Sequence, residues 1–568
     1  MSVDLASLGT GGNNMLLFVI VTPLLAGITG ALFHGRIRAR ILARIMTGLS
    51  VVILGGSVIA AFGPPREVGW MFLQLSHYSL PLALATGHLV GWMAMLTALV
   101  NTLAQFYSLG YFAQDSRQGY FQSVLLAFTG SMLLTVFGLN LFTQFVGWEF
   151  MGIGSYLLVG YFRTQHSARY AASKAMMVTR IGDVFFLLAV VYSVVHGQDS
   201  ITQLNHYGAG IIAWALVAAV AAKSAQGPNL SWLLDAMAGP TPASALIHAA
   251  TMVAAGPYLL IRYFPLLSHT PGVLPALVAI GGITAVAAGI GAIGSHEAKR
   301  LLAFSTVSQL GMMVLAVGLG FPQVAWTLLV AHAFYKALLF FVAGIASHRA
   351  QSGLLSQLRG SLSGFELGVL FMIGALGVSG LPPTGGFLAK EALFHISQGS
   401  FLHIVLDFTL SFLGGTYTGR LVKPFAVKSH TPLTSVSAWM LMPAIVLSFL
   451  VLLNFIWHPW VSLPAISFAA SWPSLLFVAL GAVMGFLWNK SFRLFSGWVF
   501  SVLWRLLHGA EKSAVWLDNA LSQGVWATHW VATWMTKPVH WGGSGIARRY
   551  VLISGAALAL LIIWNIHP

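Results

Sequence analysis

Apolar runs separated by short polar stretches follow one another along the whole chain. A helix needs about 20 such residues to cross a ~30 Å hydrocarbon core, and about sixteen segments fit that pattern. They lie near 14–33, 45–63, 82–107, 121–140, 142–160, 172–195, 209–236 (interrupted), 243–263, 273–294, 301–319, 324–346, 365–398 (a broken pair), 401–420, 436–457, 473–488 and 550–566. The pattern predicts an all-α polytopic membrane protein without a separate soluble domain. The first segment has no small-residue cleavage site and reads as a retained span rather than a signal peptide.

Composition agrees: 57% of residues are hydrophobic, 7% are charged and the mean hydropathy is +0.83. Soluble domains carry roughly 25% charged residues. In a soluble chain the net charge of +15 would suggest nucleic acid as a partner. Here the basic residues fall in alternate loops: Arg36, Arg38, Arg40 and Arg44, then Arg163 and Arg169, then Lys299 and Arg300, with Arg349, Arg359, Lys423, Lys428, Lys490, Arg493, Arg548 and Arg549 continuing the series. The opposite loops add little beyond Arg66. That is the positive-inside bias, which predicts both termini outside the cytoplasm and needs no nucleic acid.

The chain has no cysteine, which excludes thiolate-held clusters, zinc–thiolate sites and disulfides. The nineteen histidines are scattered without ligand spacing. Residues 289–294, GIGAIG, match a dinucleotide fingerprint but lie within an apolar run, where glycines serve helix packing. Nothing in the chain is equipped for covalent catalysis, and no metal or cofactor is expected in it.

The few charges inside apolar runs carry the chemistry. A charged side chain at the bilayer centre costs at least about 2.5–3.5 kcal/mol, so it is paired or used. Glu149, Lys223, His248, Lys336 and Lys390 sit deep and mostly lack a partner nearby in sequence. His332 is one helical turn from Lys336 and shares its face; Glu391 follows Lys390. Arg180 and Asp183, three apart, read either as a self-contained pair or as part of the same path. Lys174, Arg262 and Asp407 read as structural. A buried lysine whose carboxylate partner moves can take up or release a proton, and histidine bridges such lysines near neutral pH.

Two predicted helices are broken. Lys223 is followed by Gly227-Pro228, and Lys390 is preceded by Leu381-Pro382-Pro383-Thr384-Gly385-Gly386. Paired broken helices point to a transporter with two inverted repeats, here about 121–263 and 273–420. Farther on, 489–545 is amphipathic, with Trp526, Trp530 and Trp534 in one stripe. Roughly 45 residues of helix would reach about 65–70 Å, enough to lie along a neighbouring subunit.

The stretches VGWEFMGIGSYLLVG, KAMMVTRIGDVFF, KSAQGPNLSWLLDAMAGPTPASALIHAATMVAAGPYLL, EAKRLLAFSTVSQLGMM, HAFYKALLFF and GFLAKEALF resemble the antiporter-like subunits of respiratory complex I, particularly the distal subunit 5 or L type. The resemblance covers roughly 85–420. The superfamily also contains Mrp-type antiporters, membrane-bound hydrogenase and formate hydrogenlyase subunits, and the membrane subunit of DAB-type inorganic carbon transporters. It implies a Glu149–Lys223 couple, a hydrated axis through His248, His332 and Lys336, and an exit lysine, Lys390, beside Glu391. Arg180 and Asp183 match a supporting R-x-G-D element.

Four departures accompany it. ATGHLVGWM carries His88 where an aspartate is usual, and Leu328 stands one turn before His332 where a second histidine is usual. Gly227-Pro228 replaces Leu-Pro, and the segment before the last span is short.

The implied organisation is 1–110 as N-terminal transmembrane helices and 111–420 as the translocating core. Further spans occupy 421–488, with an amphipathic lateral helix over 489–545 and an anchor over 546–568. The implied function is proton (or sodium) translocation by one subunit of a complex in a bacterial cytoplasmic membrane, coupled to quinone-linked NADH-type oxidoreduction. Other membrane subunits and a soluble catalytic arm would be its partners and would hold any redox cofactors. Two alternatives stay open: a proton channel energising a soluble zinc partner in inorganic carbon uptake, and an Mrp-type or hydrogenase-type subunit.

Overall fold

A computed structural model describes residues 10–75, 78–197, 209–362, 365–397, 400–426, 436–456 and 471–487. All of these belong to the first of two compact units, 1–489. The amphipathic segment 489–545, its tryptophan stripe and the run 550–566 lie outside the described residues.

The described residues are almost wholly helical. The first helices are α1 (Thr10–Leu32), α2 (Ala39–Phe62), α3 (His88–Tyr111), α4 (Gln118–Phe137), α5 (Leu141–Val159) and α6 (His166–Val195). Then come α7 (Ala209–Lys223), α8 (Ser231–Asp235), α9 (Thr241–Ala249), α10 (Ala255–Arg262), α11 (Phe264–His269), α12 (Val273–Gly294), α13 (Ala298–Gly318) and α14 (Pro322–Ala350). The last are α15 (Phe365–Ser379), α16 (Gly385–Ser397), α17 (Phe401–Val422), α18 (Ala438–Ile456) and α19 (Trp472–Leu487). Among the described residues, ten helical stretches are long and apolar enough to cross a membrane. The GIGAIG sequence lies inside α12, so it forms no phosphate loop.

One element departs from the helical expectation. The apolar run expected near 82–107 begins as a strand: β1 (Glu67–Leu75) pairs antiparallel with β2 (Tyr78–Ala85), with Glu67 opposite Ala85 and a bulge between Met71 and Leu73. Pro81 removes a backbone donor and disfavours helix there. The hairpin is pinned to the α4–α5 turn, where Ala83 N donates to Thr143 Oγ1 (2.9 Å), Leu139 N to Ala83 O (2.8 Å) and Asn140 Nδ2 to Pro81 O (2.8 Å). Asn140 also caps α5, accepting from Thr143 N.

Burial sets the layers. The most apolar windows of α13 and α14 are 94% and 100% buried, against 33–44% for α1, α2, α6, α12 and α18. So α14 is an axle touching α3, α9, α10, α13, α15, α16 and α18, while α1, α2, α6, α12 and α18 keep an exposed apolar face. Tyr107 of α3 fixes it on one side: its ring stacks on Phe341 at 4.4 Å and its hydroxyl donates to Phe341 O (3.0 Å). At the periphery, Gly415 and Gly419 of α17 face Gly481 and Gly485 of α19, letting the two backbones nearly touch.

Three places interrupt the helical ladder. After α7, Ala225 and Gly227 adopt positive φ before α8. Between α15 and α16, Gly380 does the same. Both breaks are where the sequence predicts them. A third, over 250–254 between α9 and α10, falls in a run that reads as continuous. There Thr251 Oγ1 donates to Leu246 O (2.6 Å) and Thr97 of α3 to Ala250 O (3.2 Å), replacing lost ladder bonds.

The loop before α6 is stapled to the α3–α4 turn. Tyr161 donates to Asp115 Oδ2 (2.9 Å), and Arg117 donates to Tyr161 O (2.9 Å) while lying 4.5 Å over its ring. Burial, then the bond to Asp115, pushes the Tyr161 phenol above its ordinary range, keeping it a donor.

Candidate functional site

The buried charges fall into two groups. The first lies where α5, α6 and α7 meet. Lys223, the last residue of α7, is fully buried. Its Nζ donates to Asp183 Oδ1 (3.2 Å) and Trp148 O (3.3 Å), and lies 4.9 Å from the Trp148 ring centre. Trp148 Nε1 also donates to Asp183 (2.6 Å), so one carboxylate is held by an ammonium and an indole. Arg180 lies 3.8 Å from the other oxygen of Asp183 and is ion-paired with Glu149.

The four charges therefore alternate: Glu149, Arg180, Asp183, Lys223. The implied Glu149–Lys223 couple is not a direct contact, because Arg180 and Asp183 stand between its members. Gly152, one turn beyond Glu149, makes room for the array: a Cβ there would lie 3.5 Å from Lys223 Nζ and 3.8 Å from Arg180.

The second group follows α13 and α14. Lys336 is fully buried; its Nζ donates to Ser305 Oγ and to Leu302 O (3.4 Å). His332 lies between two acceptors, Gln309 Oε1 (2.8 Å from Nδ1) and His248 O (3.1 Å from Nε2). Tyr335 also donates to Gln309 Oε1, and Gln309 Nε2 donates to Val378 O (3.1 Å), which fixes the amide's orientation. An imidazolium satisfies both acceptors at once; a neutral ring satisfies one. The His248 ring is buried against Phe340, within electrostatic reach of Lys336, and neither ring nitrogen has a hydrogen-bond partner among the described residues.

The α15–α16 break joins Lys390 to this group. Lys390 reaches back to the end of α15, where Nζ donates to Val378 O and Ser379 O, both at 2.9 Å. A cation there also meets the negative end of the α15 dipole. Glu391 points elsewhere, accepting from Ser474 at the start of α19.

The residues set aside as structural have the following surroundings. Lys174 pairs with Asp235 at 2.8 Å, and Arg262 donates to Val136 O (2.6 Å) and Tyr258 (3.1 Å). Asp407 is buried on α17. His88, at the start of α3, accepts from Trp92 Nε1 at 3.2 Å. Sequence reasoning missed Gln309, Ser305, Trp148 and Gly152. Ser305 and Gln309 at i and i+4 within LLAFSTVSQLGMM are the available signal: two polar side chains on one face of an apolar helix.

A bundle of membrane-length helices, broken beside buried lysines and threaded by paired charges, defines an antiporter-like transport subunit. The family described as NADH:quinone oxidoreductase/Mrp antiporter matches residues 138–414, a range that holds every candidate residue above. NADH-quinone oxidoreductase subunit L of Escherichia coli K12 is 33% identical over 436 residues, covering 72% of this chain and 70% of that protein. NADH-ubiquinone oxidoreductase chain 5 of Allomyces macrogynus is 33% identical over 442 residues, covering 73% and 67%. For the chloroplastic subunit 5 of Adiantum capillus-veneris, 37% identical, the match spans about half of the relative, 49%.

Two solved structures share the fold. The Mrp complex of Dietzia sp. DQ12-45-1b has a TM-score of 0.73 at 24% identity, covering 95% of this chain and 66% of that one. An archaeal membrane-bound sulfane sulfur reductase has 0.70 at 18%, covering 83% and 98%. The chain belongs to the NADH:quinone oxidoreductase/Mrp antiporter family of multi-pass membrane subunits.

Proposed function

We propose that this chain is the proton-translocating membrane subunit of a multi-subunit complex, driven by quinone-linked NADH-type oxidoreduction in its partners. The observation that carries the reading is the chain of buried and half-buried polar contacts within one bundle. It runs from Glu149 through Arg180 and Asp183 to Lys223, then from His248 through His332, Gln309 and the Val378 carbonyl to Lys390. Protons fit this set of groups: its carboxylates, ammoniums and imidazoles take them up and release them, with the Arg180 guanidinium and the Gln309 amide holding their neighbours in place. No three carboxylates or histidines converge as cation ligands among the described residues.

The Lys223–Asp183 contact acts as an entry switch. Loss of the carboxylate partner makes a fully buried ammonium unfavourable, so the lysine gives up its proton toward the central axis. His332, held between two acceptors, carries a proton between Lys336 and the Gln309–Lys390 arm. Glu391 receives it on the far side of α16. The broken helices α7 and α15–α16 each place one lysine at a break, which supports two repeated halves. The names of the subunit L and chain 5 relatives support a redox-driven complex. The basic loops support a bacterial cytoplasmic membrane with both termini outside the cytoplasm.

The test is proton uptake in vesicles holding the purified complex, with Lys336→Ala compared against wild type. Loss of proton movement with normal assembly and normal redox activity in detergent is expected. Unchanged proton movement would leave the buried charges as inert scaffold.

A further inference from the structure

Away from the polar axis, an apolar groove of about 330 Å³ opens between α15, α17 and α19. Its walls include Met372 and Leu376, Thr418 and Val422, and Val483 and Phe486. Met372, Val483 and Phe486 are 44%, 57% and 42% exposed, so the groove opens sideways into the surrounding hydrocarbon. The hydroxyls on its lining are turned back into their own helices. Ser379 donates to Ala375 O (2.9 Å) and Thr418 to Gly414 O (2.7 Å), leaving an apolar trough.

Lys423 directly follows Val422, a lining residue, so a basic cluster adjoins one end of the trough. Gly360 N donates to Pro424 O (3.4 Å), which holds Arg359 beside Lys423. Arg420 is one turn before Lys423, and the Phe371–Phe425 ring contact at 4.6 Å ties this corner to α15. Partial burial, then the charges of Arg359 and Arg420, pull the Lys423 ammonium below its ordinary value. Like charges gathered at the mouth of an apolar trough match a head that is anionic and a tail that is hydrocarbon. The loops that supply them carry the basic residues of the cytoplasmic face by the positive-inside bias, where anionic lipids concentrate.

We propose that this is a binding site for an anionic glycerophospholipid, with one acyl chain in the groove and the phosphate against Arg359 and Lys423. Charge-assisted bonds to phosphate select the head group, and apolar burial selects the tail. The inner end of the groove is lined by Ser379 and Leu381, and the Ser379 carbonyl is one of the two that hold Lys390. A chain lying there covers the lipid side of the helix break and keeps stray water from Lys390.

The test is native mass spectrometry of the full chain in the complex with which it purifies, after exchange into micelles containing equal phosphatidylglycerol and phosphatidylcholine. Wild type is expected to retain phosphatidylglycerol preferentially. The double variant Arg359→Gln/Lys423→Gln should lose that preference by about tenfold. Val483→Trp, which fills the groove, should lower retention of both lipids. As a check that needs no altered charge, a photoreactive residue replacing Phe486 in intact membranes should cross-link to lipid. Equal retention of the two lipids by wild type, a preference that survives the double variant, or a cross-link to polypeptide would each overturn the proposal.

Discussion

Gln309 and Lys390 donate to the same oxygen. The amide nitrogen of one lies 3.1 Å from the Val378 carbonyl and the ammonium of the other 2.9 Å from it. A neutral amide on α13 thus couples the histidine of α14 to the lysine of α16 through a carbonyl freed by a helix break. Gln309→Leu keeps the volume but leaves His332, Tyr335 and Val378 each short of a buried partner, costing about 1–3 kcal/mol. Proton uptake should fall at least about tenfold while the complex still assembles. Uptake at the wild-type rate would show that the arm is not on the path.

Asp183 is the carboxylate that neutralises Lys223. Removing one partner of a buried pair costs about 3–5 kcal/mol, because the other charge stays uncompensated. Asp183→Asn should therefore lower the melting temperature of the purified complex clearly, and adding Lys223→Met should recover most of that loss. Transport should stay absent in both. Stability unrestored by the second change would mean that Asp183 serves Trp148 rather than Lys223.

Gly152 separates size from charge. A Cβ at this position lies at ordinary van der Waals distance from Lys223 and Arg180, so Gly152→Ala should retain near-normal proton uptake. Gly152→Leu extends into the array and should abolish uptake with little change in assembly. Equal activity of the leucine variant would show that the four charges do not need their observed spacing.

Gly380 holds a left-handed conformation, φ +78°, at the α15–α16 break. An L residue there costs roughly 1–2 kcal/mol, and a Cβ would collide with the side chain of Lys390. Gly380→Ala should displace Lys390 and slow uptake, whereas Gly353→Ala, in open space, should change nothing. Matching rates for the two variants would dissociate the break from transport.

The helices and most of the charged residues were legible because both depart sharply from a simple background. A twenty-residue apolar run has few readings, and Lys223 inside one must be paired or used. Gln309 and Ser305 were hidden because neutral polar side chains occur in apolar helices without consequence. Their role emerges only when Lys336 and His332 arrive from α14. Nothing in the sequence separates Trp148 from ordinary core aromatics, and its bond to Asp183 depends on how α5 and α6 turn against each other. The α9–α10 interruption lacks a glycine or proline within 250–254. Its one local sign, Pro257, which cannot donate to Val253 O, is ambiguous because Pro23 and Pro443 lie inside unbroken helices. The β1–β2 hairpin was masked by apolar residues that a helix and a strand share.

The row of Glu149, Arg180, Asp183 and Lys223 carries two negative and two positive charges, and their sum is zero. Such a quartet behaves like a discharged capacitor, with Lys223 and Asp183 fully within the bundle. One proton added or withdrawn leaves an unbalanced elementary charge in a medium that screens it far less than bulk water does. Electroneutrality then has to be restored by a second, opposite event elsewhere in the bundle, and that obligation is what turns four fixed side chains into one stroke of a cycle.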